Sequence, residues 1–102
     1  MAIVARFSLD VPFGKKNDLF KLAKKWESME KELGFPKKEI LIGSIGAPES
    51  RIEFNHHFPS LAALEQVWAK LNNPKMAEYQ ADMGPLVVPG SHRWEIFRVH
   101  EG

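Results

Sequence analysis

The 102-residue sequence contains no cysteine, which excludes disulfide bonds, thiolate zinc sites, iron–sulfur clusters and a cysteine nucleophile. It has no apolar run near the roughly 20 residues of a membrane-spanning helix, and residues 1–6 lack the features of a signal peptide. The formal net charge is only +1, so composition gives no bias toward nucleic acid or anionic membranes. We therefore expect a cytoplasmic protein.

The common catalytic and nucleotide-binding motifs are absent as well. There is no Gly-x-Gly-x-x-Gly, no phosphate-binding loop, no Gly-x-Ser-x-Gly and no His-Glu-x-x-His. Internal repeats, low-complexity segments and linkers are also missing. Paired lysines such as Lys37 and Lys38 are interpreted as a solvated surface balanced by nearby Glu. We predict one domain over residues 1–102, a length that can bury one hydrophobic core.

The hydrophobic pattern predicts six elements in the order β-α-β-β-α-β. Period-2 alternation and β-rich composition predict strands over residues 2–9, 40–45, 51–58 and 92–99. Helical spacing predicts one helix over 15–33, ended by Gly34, and a second one capped by Ser60. Asn73 and Pro74 interrupt that second helix, and a short continuation runs to Met83. This order is typical of the ferredoxin-like α+β fold, a four-stranded antiparallel sheet with its helices on one face.

Such a sheet leaves its other face uncovered. If Phe7, Ile52 and Phe54 pack under the helices, strand alternation places a mainly polar set on the uncovered face. This set is Val4, Arg6, Ser8, Glu53, Asn55 and His57. His56 and His57 are adjacent and point to opposite faces, which argues against a shared metal site. An uncovered sheet is either solvated, used to bind a flat molecule, or covered by a second subunit.

Several short segments in residues 50–100 resemble the dimeric α/β-barrel superfamily, and its NIPSNAP-like members in particular. They are 57–65 (HFPSLAALE), Trp68, 71–74 (LNNP), 84–87 (GPLV) and 93–98 (RWEIFR). The resemblance implies a homodimer whose two sheets pack face to face, with ligands held inside the barrel or between sheet and helices. Members of the superfamily include cofactor-free oxygenases, cyclases, isomerases, lyases, haem-degrading enzymes and proteins without an assigned role. The fold therefore does not choose the chemistry.

Two groups of candidate site residues follow. On the face that would form the barrel interior, His57 is predicted as a general base, because the ordinary imidazole pKa lies near neutral pH. Arg6, Glu53 and Asn55 would orient it or polarise a carbonyl group. The predicted substrate-binding residues are His56, Trp68, Tyr79, His92 and Trp94. No metal or organic cofactor is predicted, and haem bound by a histidine is kept as a minor alternative.

Two functions stay open at this point. The first is a small-molecule-binding barrel protein, which could be a cofactor-free oxygenase, isomerase, cyclase or lyase acting on a small apolar or aromatic substrate. The alternative is a non-catalytic structural or stress-related homodimer with a polar barrel interior in which Arg6 pairs with Glu53. RNA binding is disfavoured, because residues 51–57 (RIEFNHH) lack the glycine and basic pattern of RNA-recognition strands. The expected partners are a second copy of the chain and a small apolar ligand, without nucleic acid or membrane.

Overall fold

The computed structural model describes residues 2–100 and contains one antiparallel sheet with helices on one face. Its elements are β1 (Ile3–Asp10), α1 (Lys16–Lys25), α2 (Glu27–Leu33), β2 (Glu39–Ile42), β3 (Arg51–Phe58), α3 (Leu61–Ala69), α4 (Pro74–Met83), a 3-10 turn (Gly84–Leu86) and β4 (Arg93–Arg98). The strand order is β2-β3-β1-β4, with every neighbouring pair antiparallel. The predicted ferredoxin-like α+β arrangement is therefore confirmed.

The first predicted helix is split into α1 and α2 at a single residue. Trp26 has φ −90° and ψ 0° and lies between the two helices. The hydrogen-bond ladder nevertheless continues, because the Trp26 N–H donates to the Leu22 carbonyl at 3.1 Å and the Glu30 N–H donates to the Trp26 carbonyl at 3.0 Å. Gly34 ends α2 at φ 94°, the left-handed conformation that glycine adopts without steric strain.

The second helical region begins and restarts at the predicted capping residues. The Ser60 hydroxyl accepts a hydrogen bond from the Ala63 N–H at 3.1 Å. The Asn73 carboxamide oxygen accepts one from the Lys75 N–H at 2.9 Å, with Pro74 in the first helical position. Each cap satisfies an amide that has no partner within the helix. The helix interruption at Asn73 and Pro74 is thus confirmed, as is the Ser60 cap.

The core lies between the sheet and the helices. Strand register pairs Phe7 with both Phe54 and Trp94, so these three rings occupy the helix-facing side. Leu9, Leu19, Ile52 and Leu64 are the largest fully buried side chains and belong to two packed clusters. Among residues 2–100, no helix is long and apolar enough to cross a membrane.

The opposite sheet face carries the polar set that alternation predicts. Arg6 pairs with Asn55 and Glu95, and Val4 pairs with His57 and Phe97. We call this side the uncovered face, since the buried clusters of sheet and helix residues lie on the other side. Adjacent residues of one strand therefore lie on different sides of the sheet, one toward the helices and the next on the uncovered face.

Candidate functional site

A cavity of about 640 Å³ lies between the helix-facing side of the sheet and helices α2 and α4. Its wall is mainly apolar and includes Met29, Leu33, Met76 and Met83 from the helices. Cavities of several hundred Å³ with apolar walls and few polar groups are typical of small-molecule sites. The cavity is therefore the candidate functional site.

Aromatic rings from three strands form the floor of this cavity. In the strand register, Phe7 pairs with Phe54 on one side and with Trp94 on the other. Its ring centre is 4.9 Å from that of Trp94 and 6.5 Å from that of Phe54. Trp68 from α3 meets Trp94 edge to face at 5.9 Å. A row of neighbouring rings offers an apolar surface suited to a flat ligand.

The wall carries the polar side chains of Tyr79, Gln80 and His92 and, in addition, a buried polar cluster. His56 is 5% exposed, and its Nε2 lies 3.6 Å from Oε2 of Glu30. The other carboxylate oxygen of Glu30 accepts a hydrogen bond from Lys38 Nζ at 2.8 Å. Lys38 also donates to the Ala23 carbonyl at 3.2 Å. We call these three side chains the Glu30–His56–Lys38 cluster.

The charges of this cluster are set by burial and by the neighbouring groups. Burial raises the pKa of the Glu30 carboxyl. The close polar contacts with His56 and Lys38, and the positive charges of these side chains, lower the pKa by more, so it lies below the ordinary value. Burial, together with the Glu30 charge, raises the pKa of Tyr79 to about 12. At neutral pH, the cavity lining therefore includes a charged carboxylate and a protonated tyrosine hydroxyl.

Two buried polar side chains in or near the cavity lack a hydrogen-bond partner. Among residues 2–100, neither ring nitrogen of His56 has one, nor does Nε1 of Trp26. Buried polar atoms of this kind are uncommon and call for a specific explanation. Trp26 packs edge to face on Tyr79 at 5.3 Å, whereas His56 lines the cavity itself. Both nitrogens thus lie unpartnered in the cavity wall, each with less than 1 Å² of accessible surface.

The predicted catalytic residues lie on the uncovered face, outside this cavity. Arg6 Nε donates to Asn55 Oδ1 at 2.9 Å and lies 3.4 Å from Glu53 Oε2. Asn55 Nδ2 donates to Glu39 Oε1 at 3.3 Å. The structure thus brings three of the four residues together. Within residues 2–100, no hydrogen bond or ion pair joins the exposed His57 to them, and its role as a base stays a prediction.

Four of the five predicted substrate-binding residues line the cavity. They are His56, Tyr79, His92 and Trp94. The fifth, Trp68, contacts the outer ring of the aromatic row. Their role in binding stays a prediction. In the part of the chain that the structure describes, no group of three or more potential ligands from His, Asp and Glu could hold a metal ion.

Sequence reasoning missed four residues of the site. Phe7 and Phe54 follow the alternation of core residues, and nothing in that pattern separates a cavity floor from a filled core. Either Met29 or Glu30 fits the same position of the apolar stripe of the first helix. A Glu at such a position is a usable signal for a buried carboxylate. The interpretation of Lys38 as solvated is wrong, because its side chain is buried against Glu30.

Comparison with known proteins supports the fold. No family model and no curated protein matches the sequence. A NIPSNAP-like domain protein from Burkholderia xenovorans superposes with a TM-score of 0.79 at 16% identity, covering 97% of this chain and 85% of that one. A NIPSNAP family protein from Agrobacterium tumefaciens gives 0.78 at 18% identity, covering 99% and 95%.

A putative antibiotic biosynthesis monooxygenase from Bordetella bronchiseptica has the same architecture. Its TM-score is 0.75 at 12% identity, and the match covers 98% of both chains. At these identities the similarity establishes the fold alone. The resemblance to NIPSNAP-like proteins is confirmed at that level.

Proposed function

We propose that this protein binds a small apolar or aromatic molecule in the cavity between the sheet and helices α2 and α4. The observation that carries the proposal is a space of about 640 Å³ with a floor of three aromatic rings and a buried polar cluster in its wall. A filled structural core has no such space, because protein interiors pack as densely as organic crystals. Ligand binding therefore accounts for the cavity better than a purely structural role does.

Cofactor-free catalysis is the enzymatic form of this proposal. His56 is the base that the cavity geometry favours, since its ring lies beside the Glu30 carboxylate and both its nitrogens are unpartnered. A carboxylate next to a histidine stabilises the imidazolium that forms when the ring takes up a proton. His57, the base predicted from the sequence, belongs instead to the uncovered face. Oxygenase, isomerase, cyclase and lyase chemistry all remain compatible with this arrangement.

The experiment is equilibrium dialysis with 2-methoxynaphthalene as an apolar aromatic probe. Met76 of α4 lines the cavity, whereas its neighbour Ala77 is exposed. We expect wild type and Ala77→Trp to bind the probe alike, and Met76→Trp to bind at least fivefold more weakly because the indole fills the cavity. Equal binding by all three proteins, or no binding by wild type, would contradict the proposal and favour the structural alternative. Native mass spectrometry of protein purified from cells would show any ligand already bound.

The proposed assembly is a homodimer formed through the uncovered face. Phe97 is 43% exposed there, and Leu41 and Val99 are similarly exposed. The Arg6 guanidinium lies over the Phe97 ring at 5.0 Å, so this face combines apolar side chains with a hydrogen-bonded polar network. A symmetric pairing of two such faces would remove the apolar side chains from water.

Analytical ultracentrifugation tests the dimer. We expect the wild-type chain to sediment as a dimer and Phe97→Glu as a monomer, because two carboxylates would be brought into an apolar contact. Phe13 is fully exposed in the loop after β1, so Phe13→Glu serves as the control and should remain dimeric. A wild-type monomer at micromolar concentration would refute this assembly.

A further inference from the structure

His56 is a buried polar group of the cavity wall whose ring nitrogens have no hydrogen-bond partner among the described residues. Glu30 and Lys38 satisfy each other at 2.8 Å, and Lys38 has a second acceptor in the Ala23 carbonyl. By contrast, both nitrogens of the buried His56 ring lack a partner among the described residues. Each nitrogen has less than 1 Å² of accessible surface, so a ligand reaches the ring by displacing a neighbouring side chain. It then gains a hydrogen bond that the protein does not make for itself.

The neighbours of His56 determine which kind of hydrogen bond it offers. Nε2 lies 3.6 Å from the Glu30 carboxylate, so a proton on Nε2 is the electrostatically favoured arrangement. In the neutral ring, Nδ1 then keeps its lone pair and can only accept. Lys38 fixes the carboxylate from its other side. The Glu30–His56–Lys38 cluster thus presents an acceptor to the ligand.

The charge of the cavity selects against an anionic ligand. Lys38 is the one Lys or Arg among its lining residues, and it is already paired with Glu30. The Glu30 carboxylate itself lines the cavity, and burial together with this charge raises the pKa of Tyr79, so a further negative charge at this end of the cavity is disfavoured. A carboxylate on the ligand would meet the same repulsion.

We infer that the cavity selects a neutral aromatic or enolic molecule with a hydroxyl group, and that His56 determines this specificity by accepting the hydroxyl hydrogen bond. This inference rests on the proposed function, since it names the chemical class that the same cavity takes. The apolar body of the molecule would lie on the row formed by Phe7, Phe54 and Trp94, with the hydroxyl group directed to Nδ1 of His56.

The test compares three probes by equilibrium dialysis at pH 7.5. They are 2-naphthol, which donates a hydrogen bond, 2-methoxynaphthalene, which cannot, and 2-naphthoate, which is an anion. We expect wild type to bind 2-naphthol about five- to tenfold more tightly than the ether, and 2-naphthoate no better than the ether. His56→Phe, whose ring can keep the contact with Phe35, should abolish the preference. His100→Phe, at an exposed position that does not line the cavity, should retain it.

Each alternative result has a definite meaning. Equal affinity for naphthol and ether would overturn the inference while leaving the apolar cavity intact, and so would tightest binding of naphthoate. Binding of no probe would overturn both the inference and the proposed function. If His56→Phe does not fold, the nitrogen-15 shift of His56 Nδ1 in wild type decides, since it should move with 2-naphthol and not with the ether.

Discussion

Removal of the Lys38 ammonium group should destabilise the fold by about 2–4 kcal/mol, because it leaves a buried carboxylate without its main partner. Lys38 Nζ lies 2.8 Å from Glu30 Oε1, and the two side chains are 11% and 18% exposed. At that separation and an effective dielectric constant of about 20, the attraction is roughly 6 kcal/mol. Desolvation of both groups offsets part of this attraction, and residual access to water allows Glu30 to recover some solvation in the variant.

Urea denaturation followed by circular dichroism at pH 7 measures this loss for Lys38→Met. The matched control is Lys37→Met, because Lys37 is exposed at the preceding position and should change the free energy of unfolding by less than about 0.5 kcal/mol. Adding Glu30→Leu to Lys38→Met should recover most of the loss, since no buried charge then remains. The reasoning is refuted if Lys38→Met matches the control, or if the second substitution deepens the loss.

Two further predictions concern a side chain in the cavity and a turn. Tyr79 is the only tyrosine, so absorbance at 295 nm should show a single ionisation near pH 12 in the folded protein and near 10 in denaturant. Because the pKa of Tyr79 is higher in the folded than in the unfolded chain, the protonated hydroxyl contributes fully to the free energy of unfolding below pH 10. This contribution is lost as the pH rises toward 12; a folded-state midpoint near 10 would contradict this. Gly43→Ala should lower the free energy of unfolding by at least about 2 kcal/mol, because the added Cβ would overlap the Pro48 carbonyl oxygen. Gly84→Ala, at φ −48° with open space around the new Cβ, should stay within about 0.5 kcal/mol, and equal thermal unfolding of the two variants would refute the clash.

The fold was predictable because its signals are local. Gly34, Ser60 and Asn73 each end or begin a helix through contacts with residues at most four positions away. Strand faces follow from alternation alone, which correctly separated Phe7 from Arg6 and Phe54 from Asn55. The split at Trp26 was not predictable, because the apolar stripe continues through it and the hydrogen bonds on both sides persist.

The candidate site was only partly predictable, because its polar cluster depends on how the chain turns after the first helical region. Glu30 and Lys38 are eight residues apart, separated by the turn that begins at Gly34. The direction of that turn determines whether Lys37 or Lys38 contacts the helix. Because the two lysines are adjacent and form no periodic pattern, the sequence does not indicate which of them pairs with Glu30. His56 then joins the cluster from a strand that is distant in sequence.

The two proposed surfaces share the same strands, and this sharing constrains the register of the sheet. In β1, Arg6 belongs to the network on the uncovered face and Phe7 to the cavity floor; in β3, His57 and His56 are divided in the same way. A slip of one residue in either strand would place a charged or polar side chain against the aromatic row and an apolar one in the polar network. Both errors would be costly at once, since an unpaired guanidinium would be buried and the Asn55 and Glu53 contacts would be lost. The pairing of these strands is therefore specified from both faces, so a substitution such as His57→Phe can alter one surface while the other stays in place.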